Sequence, residues 1–481
     1  MIMESLKKKT ARGLFWGGMS NGAQQLLNVV FGTILGRLLS PSDFGMVGML
    51  LVFSAIAGAL QEGGFISALN RKKVVTDADF NAVFWTCVCS SLSMYAILFI
   101  SAPLIAGYYG VPELLPLSRY VFAGFFMASL GIAPRAWMFR NMMVRENTII
   151  STISLLASGI VAIIMVFLGY TYWSIATQSI VFVTSVSLLS FYFSGWRPSL
   201  SFDLKPIREM IGFSSRLVVT NVFNALNNNL FPILLGRYYS PREVGVFTQA
   251  SKWNMMGHSF ISNMLNGIAQ PVFAKVEDDV LRQKNIFRKL LRFTAFVSFP
   301  AMFGLAFVAE EFIVILLTEK WLASARLMQV LCVAGAFMPF SVLFSNLLIS
   351  RGRSTIYMWS TIGLCMAQLL LLMLAMPYGI SYMVVPYALV QICWVFVWFV
   401  FVHREIGLSL FELLRDISPY FLITLLLIVV VFFLTLGIGN LYLRIIVKIL
   451  AVAFLYSLVL WLLRSTIFTE TLAFMRKKDI E

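Results

Sequence analysis

The chain has 481 residues, of which 59% are hydrophobic and 12% charged, and its mean hydropathy is +0.86. Soluble domains carry about 25% charged residues, so this composition excludes an ordinary soluble enzyme. The net charge of +15 would suggest a nucleic-acid partner in a soluble protein, but here it must first be located relative to a bilayer.

The N-terminal segment begins with three lysines, Lys7 to Lys9, and runs into a long stretch without a small-residue cleavage site. We therefore expect a retained first membrane span and not a signal peptide. Thirteen further apolar stretches of spanning length follow it along the chain. The fourteen stretches are 14–39, 44–69, 80–105, 115–133, 149–168, 173–193, 211–235, 244–268, 293–317, 327–349, 358–376, 382–402, 420–436 and 441–463. The sequence thus predicts an all-α polytopic membrane protein of about 14 helices, with both termini on one side.

Lysine and arginine are unevenly divided between the two sides of this predicted topology. Most of the 37 lie on the side of the termini, and seven lie on the opposite side. Those seven are Arg37, Arg119, Arg237, Arg242, Lys320, Arg326 and Arg444. The positive-inside bias predicts that both termini are cytoplasmic and that the basic rim contacts membrane lipids. The positive charge then reports topology, and we expect no nucleic-acid partner.

A turn motif occurs twice, at an offset of 200 residues. ILGRLLSPSDFG at residues 34–45 aligns without a gap with LLGRYYSPREVG at residues 234–245. Six predicted spans separate the copies, so both have the same orientation, as in transporters built from parallel repeats. The Ser-Pro pair and the acid at the next helix start predict a capped hairpin, and Gly45 and Gly245 permit close packing. Arg37 and Arg237 are expected at the periplasmic rim.

The repeat predicts the domain organisation. We expect an N-terminal six-helix bundle at 1–194, a cytoplasmic linker at 195–210 and a second six-helix bundle at 211–402. Residues 403–481 would hold helices 13 and 14, whose nearly uniform apolar character is typical of a lipid-facing appendage, and a cytoplasmic tail. The crowded charges of residues 271–292 suggest an amphipathic linker that lies on the cytoplasmic interface.

Amides line one face of the first predicted span and of its repeat, and a stripe on the eighth span extends the pattern. The predicted substrate cavity consists of Asn21, Gln24, Gln25 and Asn28 with Asn221, Asn224, Asn228, Gln249, Lys252, Asn263 and Asn266. Interhelical hydrogen bonds of roughly 1 kcal/mol each would explain any one amide. A buried ammonium needs water or a counter-charge, so Lys252 favours a hydrated cavity for the set.

Glu62 and His258 also fall within or beside predicted spans. Glu62 is a candidate for ion coupling, with a proton or sodium gradient as the energy source. His258 points away from the amide stripe and is expected to pack. No phosphate loop, zinc motif or catalytic triad occurs, so we predict no cofactor, no metal and no catalytic residue.

The SP turns, the repeated halves and the QPVFAK stretch at residues 270–275 resemble the bacterial polysaccharide transporter family. The chain is similar to the colanic-acid exporter and O-antigen flippase group of the multidrug/oligosaccharidyl-lipid/polysaccharide flippase superfamily. The resemblance implies alternating-access transfer of an undecaprenyl-diphosphate-linked oligosaccharide for lipopolysaccharide, capsule or exopolysaccharide synthesis. It also implies that the protein acts together with a polysaccharide polymerase and glycosyltransferases. Diphosphate contacts near the cytoplasmic entrance would fall to Arg135, Arg140 and Arg216.

Three alternatives are left open. A multidrug exporter of the same superfamily would need cavity acids for cationic drugs, whereas this stripe is rich in amides. A peptidoglycan-precursor flippase would move a similar lipid diphosphate. A membrane glycosyltransferase or polymerase would be expected to carry catalytic acids in long outer loops, and the outer loops here are short.

Overall fold

The computed structural model describes residues 22–62, 69, 75–199, 205–465 and 467–470, without the side chains of Glu62 and residues 205–217. The described residues are helical, with no strand among them. The first unit contains α1 (residues 22–38), α2 (Pro41–Gly48), α3 (Leu51–Glu62), α4 (Asp77–Tyr109), α5 (Leu114–Leu130), α6 (Ile132–Arg140), α7 (Val144–Phe167), α8 (Thr171–Ser194) and α9 (Lys205–Tyr238). The helices that follow are α10 (Pro241–Lys275), α11 (Val280–Phe307), α12 (Ala309–Leu317), α13 (Leu322–Gly335), α14 (Met338–Ser350), α15 (Ser354–Ala375), α16 (Ile380–Ile406), α17 (Leu410–Thr435) and α18 (Leu441–Leu462).

The prediction of an all-α, polytopic membrane protein is confirmed. Eleven helical stretches in the described residues are long and apolar enough to cross a membrane. Three further long helices, α1, α9 and α10, carry the amide residues, which lower the mean hydropathy of such helices. The total of fourteen spans stays a prediction.

The chain divides into two compact units between Gly245 and Val246. In the first unit, α7 packs against α8, α4 against α5, and α9 against α3 and α4. Small residues allow close approach: a Cβ on Gly159 would lie 2.5 Å from the ring of Phe31, and one on Gly131 would lie 2.7 Å from Ser187 Oγ. Membrane helices gain much of their packing through such small residues, because lipid offers no hydrophobic driving force between them. The predicted bundle boundaries at 194 and 211 stay predictions.

Aromatic side chains fill the core of the second unit. Phe299 lies fully buried on α11, with ring centroids 5.5 Å from both Phe337 and Phe340 and 5.4 Å from Phe421. Since Phe421 belongs to α17, the last helix pair contributes to this core. Such offset and edge-on ring pairs each add about 0.5–1.5 kcal/mol beyond area burial.

The description of helices 13 and 14 as a lipid-facing appendage is therefore wrong for one of their faces. Ion pairs fasten α17 and α18 to α11 and α12 at both ends. At the predicted cytoplasmic end, Arg288 Nε lies 2.7 Å from Asp416 Oδ2 and Lys284 Nζ lies 2.7 Å from Glu412 Oε2. Other faces of the pair remain exposed, as at Phe433 and Phe454.

At the opposite end, the buried carboxylate of Glu311 on α12 faces two cations of α18. Lys448 Nζ donates to Glu311 Oε1 over 2.6 Å and lies 4.3 Å from the ring centroid of Phe307. Arg444 Nε lies 2.7 Å from the same oxygen, without the alignment of a hydrogen bond. The pairing of Glu311 with residues more than 130 positions away has no local signal in the sequence.

The predicted amphipathic linker at 271–292 is also wrong. Helix α10 continues to Lys275 and α11 begins at Val280, so the charged residues lie on the ends of two long helices joined by a short turn. Asp279 caps α11 by accepting a hydrogen bond from Arg282 N at 2.9 Å. Several of the basic residues serve the ion pairs with α17.

Candidate substrate-binding site

The repeated turn has the geometry that its sequence predicts. Ser40 is the N-cap of α2, with Asp43 N donating to Ser40 Oγ at 3.3 Å and Ser40 N donating to Asp43 Oδ2 at 2.8 Å. In the second copy, Glu243 N donates to Ser240 Oγ at 3.4 Å. Pro is favoured at the first helical position because it has no N–H to leave unpaired. The predicted capped hairpin is confirmed in both copies.

The two turns touch each other through equivalent atoms. A Cβ on Gly45 would collide with the Pro241 carbonyl group, and one on Gly245 would collide with the Pro41 carbonyl group. Each added Cβ would also lie 3.0 Å from the backbone nitrogen of the other glycine. The contact is reciprocal, and only glycine leaves space for it at either position.

The second arginine of the motif binds a neighbouring helix end. Arg237 NH1 donates to the Tyr108 carbonyl oxygen, and its guanidinium carbon lies 5.2 Å from the Tyr108 ring centroid. Gly236 lies beside Tyr109, whose hydroxyl donates to Met49 O at 3.1 Å. These contacts fix the end of α9 against α4 and the start of α3. Arg37 in the first copy is exposed.

The predicted cavity residues of the first unit lie on α1 and α9. Gln24, Gln25 and Asn28 are half-buried, and Asn21 lies outside the described residues. On α9, Asn224 is half-buried and Asn221 and Asn228 are exposed. Asn229, next to this stripe, turns inward on its own helix, because its Nδ2 donates to Ala225 O at 2.8 Å.

Lys252 and Gln249 occupy the first turns of α10 in the second unit. Lys252 is half-buried and has no ion-pair or hydrogen-bond partner among the described residues. Gln249 is 1% exposed, and neither atom of its amide has a partner in the described chain. An unpaired ammonium and an unpaired buried amide are each costly unless water or a ligand satisfies them.

Farther along α10, Asn263 and Asn266 are exposed. Asn266 Oδ1 accepts a hydrogen bond from Asn346 Nδ2 on α14 at 2.9 Å, so one predicted cavity amide bonds to another helix. Asn346 was missed by sequence reasoning because it stands alone in an apolar helix. Whether the amides of both units line one cavity stays a prediction.

The predicted entrance and coupling residues are less fully described. Arg135 is exposed on α6, whereas Arg140 NH1 donates to Leu69 O at 2.9 Å. The side chains of Arg216 and Glu62 lie outside the described residues. In the described part, no cluster of three or more His, Cys, Asp or Glu side chains could hold a metal ion.

Comparison with known proteins identifies a matching family and several similar proteins. Residues 34–326 match the model of a family described as "Polysaccharide biosynthesis protein". The chain is 26% identical over 355 residues to lipopolysaccharide biosynthesis protein WzxC of Escherichia coli K12, covering 73% of this chain and 71% of that protein. It is 24% identical over 426 residues to teichuronic acid biosynthesis protein TuaB of Bacillus subtilis 168, covering 87% and 86%.

Among solved structures, the fold is similar to the lipid II flippase MurJ in an inward closed conformation. The TM-score is 0.76 at 14% sequence identity, over 93% of this chain and 99% of that one. At this identity the likeness extends to the fold alone.

Proposed function

The chain belongs to the family of polysaccharide biosynthesis proteins, and from this premise we propose that it is a flippase for a lipid-linked oligosaccharide. The glycan would cross through the membrane protein while its lipid tail stays in the bilayer. This is transport by a multi-pass membrane protein and involves no covalent chemistry.

The observation that carries the proposal is the reciprocal contact of the two turns at Gly45 and Gly245. Alternating access needs a closure that forms and separates at one end of the path. Two helix starts that meet backbone to backbone at Gly45 and Gly245 offer such a contact. The second of these turns begins α10, the helix that carries Lys252.

Amides suit a glycan because Asn and Gln both donate to and accept from hydroxyl groups. Gln24, Asn28, Asn224 and Asn228 would bind sugars. Lys252 would offer its charge to a diphosphate, and Arg135 or Arg216 would do so near the entrance, where arginine has the better geometry for phosphate oxygens.

The finer features belong to the same proposal. The substrate lipid would be undecaprenyl diphosphate, and the site of action a bacterial inner membrane with both termini in the cytoplasm. A polymerase and glycosyltransferases would act before or after the transfer. A proton or sodium gradient would supply the energy, with Glu62 as one candidate coupling residue.

A peptidoglycan-precursor flippase is the second candidate, because Lys252 and the amides would suit its lipid diphosphate and sugars as well. A multidrug exporter would use acids where these helices offer amides and Lys252. The two flippase functions differ in the sugar and share the lipid diphosphate.

The test is the leaflet distribution of lipid-linked repeat units after depletion of the protein in its own host. We expect the repeat units to accumulate in the cytoplasmic leaflet while peptidoglycan synthesis continues. Accumulation of the peptidoglycan precursor instead would favour the second candidate, and unchanged leaflet distributions of both lipids would contradict a flippase function.

A further inference from the structure

Buried polar atoms without partners recur along α10, both at Gln249 of the predicted amide stripe and outside that stripe. Gln249, Trp253 Nε1, Asn254 Oδ1, His258 Nδ1 and Ser262 Oγ have no hydrogen-bond partner in the described chain. Gln249, Asn254 and Ser262 are each more than nine-tenths buried. We call these five side chains the α10 polar row.

Buried polar groups are nearly always hydrogen-bonded, so five exceptions spread along one helix require an unseen partner. Asn254, His258 and Ser262 share one face of α10 and extend over about 12 Å at 1.5 Å per residue, against a hydrocarbon core of about 30 Å. This face therefore covers less than half of the apolar layer.

The spacing of the last three members of the row fits bound water. Asn254, His258 and Ser262 stand four residues apart on one face, which separates neighbours by about 6 Å along the helix. A water molecule with two hydrogen bonds of about 2.8 Å spans nearly that distance. Waters typically occupy such sites by bonding to otherwise unsatisfied polar groups.

His258 is the titratable member of the row. A neutral imidazole accepts at one nitrogen and donates at the other, so it can take a proton from one water and release one to the next. Each transfer leaves the ring neutral, with one proton moved, and ring rotation restores the starting tautomer. The other members can order water but do not carry a proton near neutral pH.

The helices packed around the row supply little competing charge. Gly257 lies against Met302 and Leu305 of α11, Asn254 lies against Gly335 of α13, and the Trp253 ring lies 5.1 Å from that of Phe312 on α12. Besides His258, the charged and titratable groups on these segments are Arg242, Glu243, Lys252 and Lys275 on α10, Glu310 and Glu311 on α12, and Arg326 and Cys332 on α13; residues 293–307 of α11 hold none. Glu311 is already paired with Arg444 and Lys448.

We propose that the α10 polar row binds a file of water through which His258 passes the proton that drives transport. The inference rests on the proposed function, since it concerns the energy source of the same flippase. Helix α10 carries Lys252 and Asn263 on one face and Asn254, His258 and Ser262 on another, so a shift of this helix changes both. A shared element of this kind is what energetic coupling requires.

The test uses the full-length protein in proteoliposomes with a fluorescent undecaprenyl-diphosphate-linked disaccharide as the probe. Flipping is measured with and without an imposed pH gradient. In the wild type we expect the gradient to accelerate flipping. His258→Gln should flip at the wild-type rate without a gradient and show no acceleration with one.

His403, the other histidine of the chain, provides the matched control, since its Nδ1 lies 2.7 Å from Leu408 O at a helix end. His403→Gln should respond to the gradient like the wild type. Acceleration retained in His258→Gln, or absent from the wild type, would overturn the proton relay while leaving the flippase function intact. Loss of acceleration in Glu62→Gln with retention in His258→Gln would move coupling to Glu62.

Hydroxyl-radical footprinting of the folded protein tests the water file without any substrate. Bound water should give modification at Trp253 and His258, and Ser262→Ala, which removes one water partner without adding bulk, should lower it at His258. Absence of modification at both residues would overturn the water file. Failure of the wild type to flip the probe under either condition would count against the proposed function, separately from this result.

Discussion

Gly45 and Gly245 are the residues at which a single methyl group has the largest geometric consequence. Each added Cβ meets the backbone of the opposite turn, which cannot rotate away as a side chain would. Overpacking typically costs about 1–3 kcal/mol, and each 1.4 kcal/mol changes an equilibrium about tenfold. We therefore expect Gly45→Ala or Gly245→Ala to disfavour the closed contact and to lower the flipping rate by about tenfold.

Gly107 on α4 is the matched control, because a Cβ there would meet nothing within 4 Å. Gly107→Ala should leave the rate unchanged and stabilise its helix slightly, by up to about 1 kcal/mol. Equal rates in all three variants, each inserted at wild-type levels, would show that the contact does not limit transport.

Asn228 and Asn229 allow a proposed substrate-binding amide to be compared with a structural one. Asn228 is exposed on α9, whereas Asn229 bonds back to Ala225 O. Asn228→Leu should raise the KM for the lipid-linked glycan, since sugar hydroxyls lose a partner, while Asn229→Leu should leave KM unchanged. The opposite ranking in a reconstituted flipping assay would exclude Asn228 from the binding site.

Variants of Lys252 test whether its positive charge contributes to binding of the diphosphate headgroup. Lys252→Met keeps the length and removes the ammonium, and we expect it to weaken binding of the diphosphate headgroup by about tenfold, with Lys252→Arg near the wild type. Lys289→Met is the control, since Lys289 is more than half exposed and pairs with Glu470. Binding is measured by titrating the purified protein with undecaprenyl diphosphate; equal affinities for Lys252→Met and wild type would contradict a diphosphate contact.

Among the helices, α17 and α18 are integral parts of the second unit, because ion pairs join α17 to α11 and α18 to α12. Removal of one partner from a buried ion pair costs about 3–5 kcal/mol, since the other charge is left without compensation. Glu311→Leu should therefore lower the melting temperature in detergent clearly, and Lys448→Met in the same chain should restore part of the loss.

Glu310 is the adjacent control, because it is exposed where Glu311 is buried. Glu310→Leu should melt like the wild type. Similar melting temperatures for Glu311→Leu and Glu310→Leu would show that the ion pairs do not hold α18 in place.

The element scale also shows what the sequence could and could not predict. Helix caps are local, so Ser40 and Asp43 revealed the turn within four residues, and the amide stripes followed from helical periodicity. The pairs Glu311–Lys448 and Arg288–Asp416 join residues more than 120 positions apart, and no local pattern distinguishes them from solvated charges. The α10 polar row was missed for a related reason. In the described chain, Asn254 Oδ1 and Ser262 Oγ lack hydrogen-bond partners because the neighbouring helices place none beside them, and the sequence of α10 alone does not show this.

At the scale of the whole molecule, the distribution of lysine and arginine predicts the topology. A fusion of green fluorescent protein to residue 481 should fluoresce, and alkaline phosphatase fused after Val111 should be active. Phosphatase fused after Asn141 should be inactive, because that turn lies on the predicted cytoplasmic side. The reverse pattern of activities would place the basic rim outside the cell.

The meeting of Gly45 with Gly245 also has an evolutionary consequence. Each turn presents to the other the same glycine and the same proline carbonyl, which is the arrangement of an isologous interface between two identical chains. An ancestor of half the length would have made this contact with a second copy of itself. Gene duplication and fusion would then have preserved a homodimer interface inside one polypeptide, and with it a glycine that neither copy was free to lose.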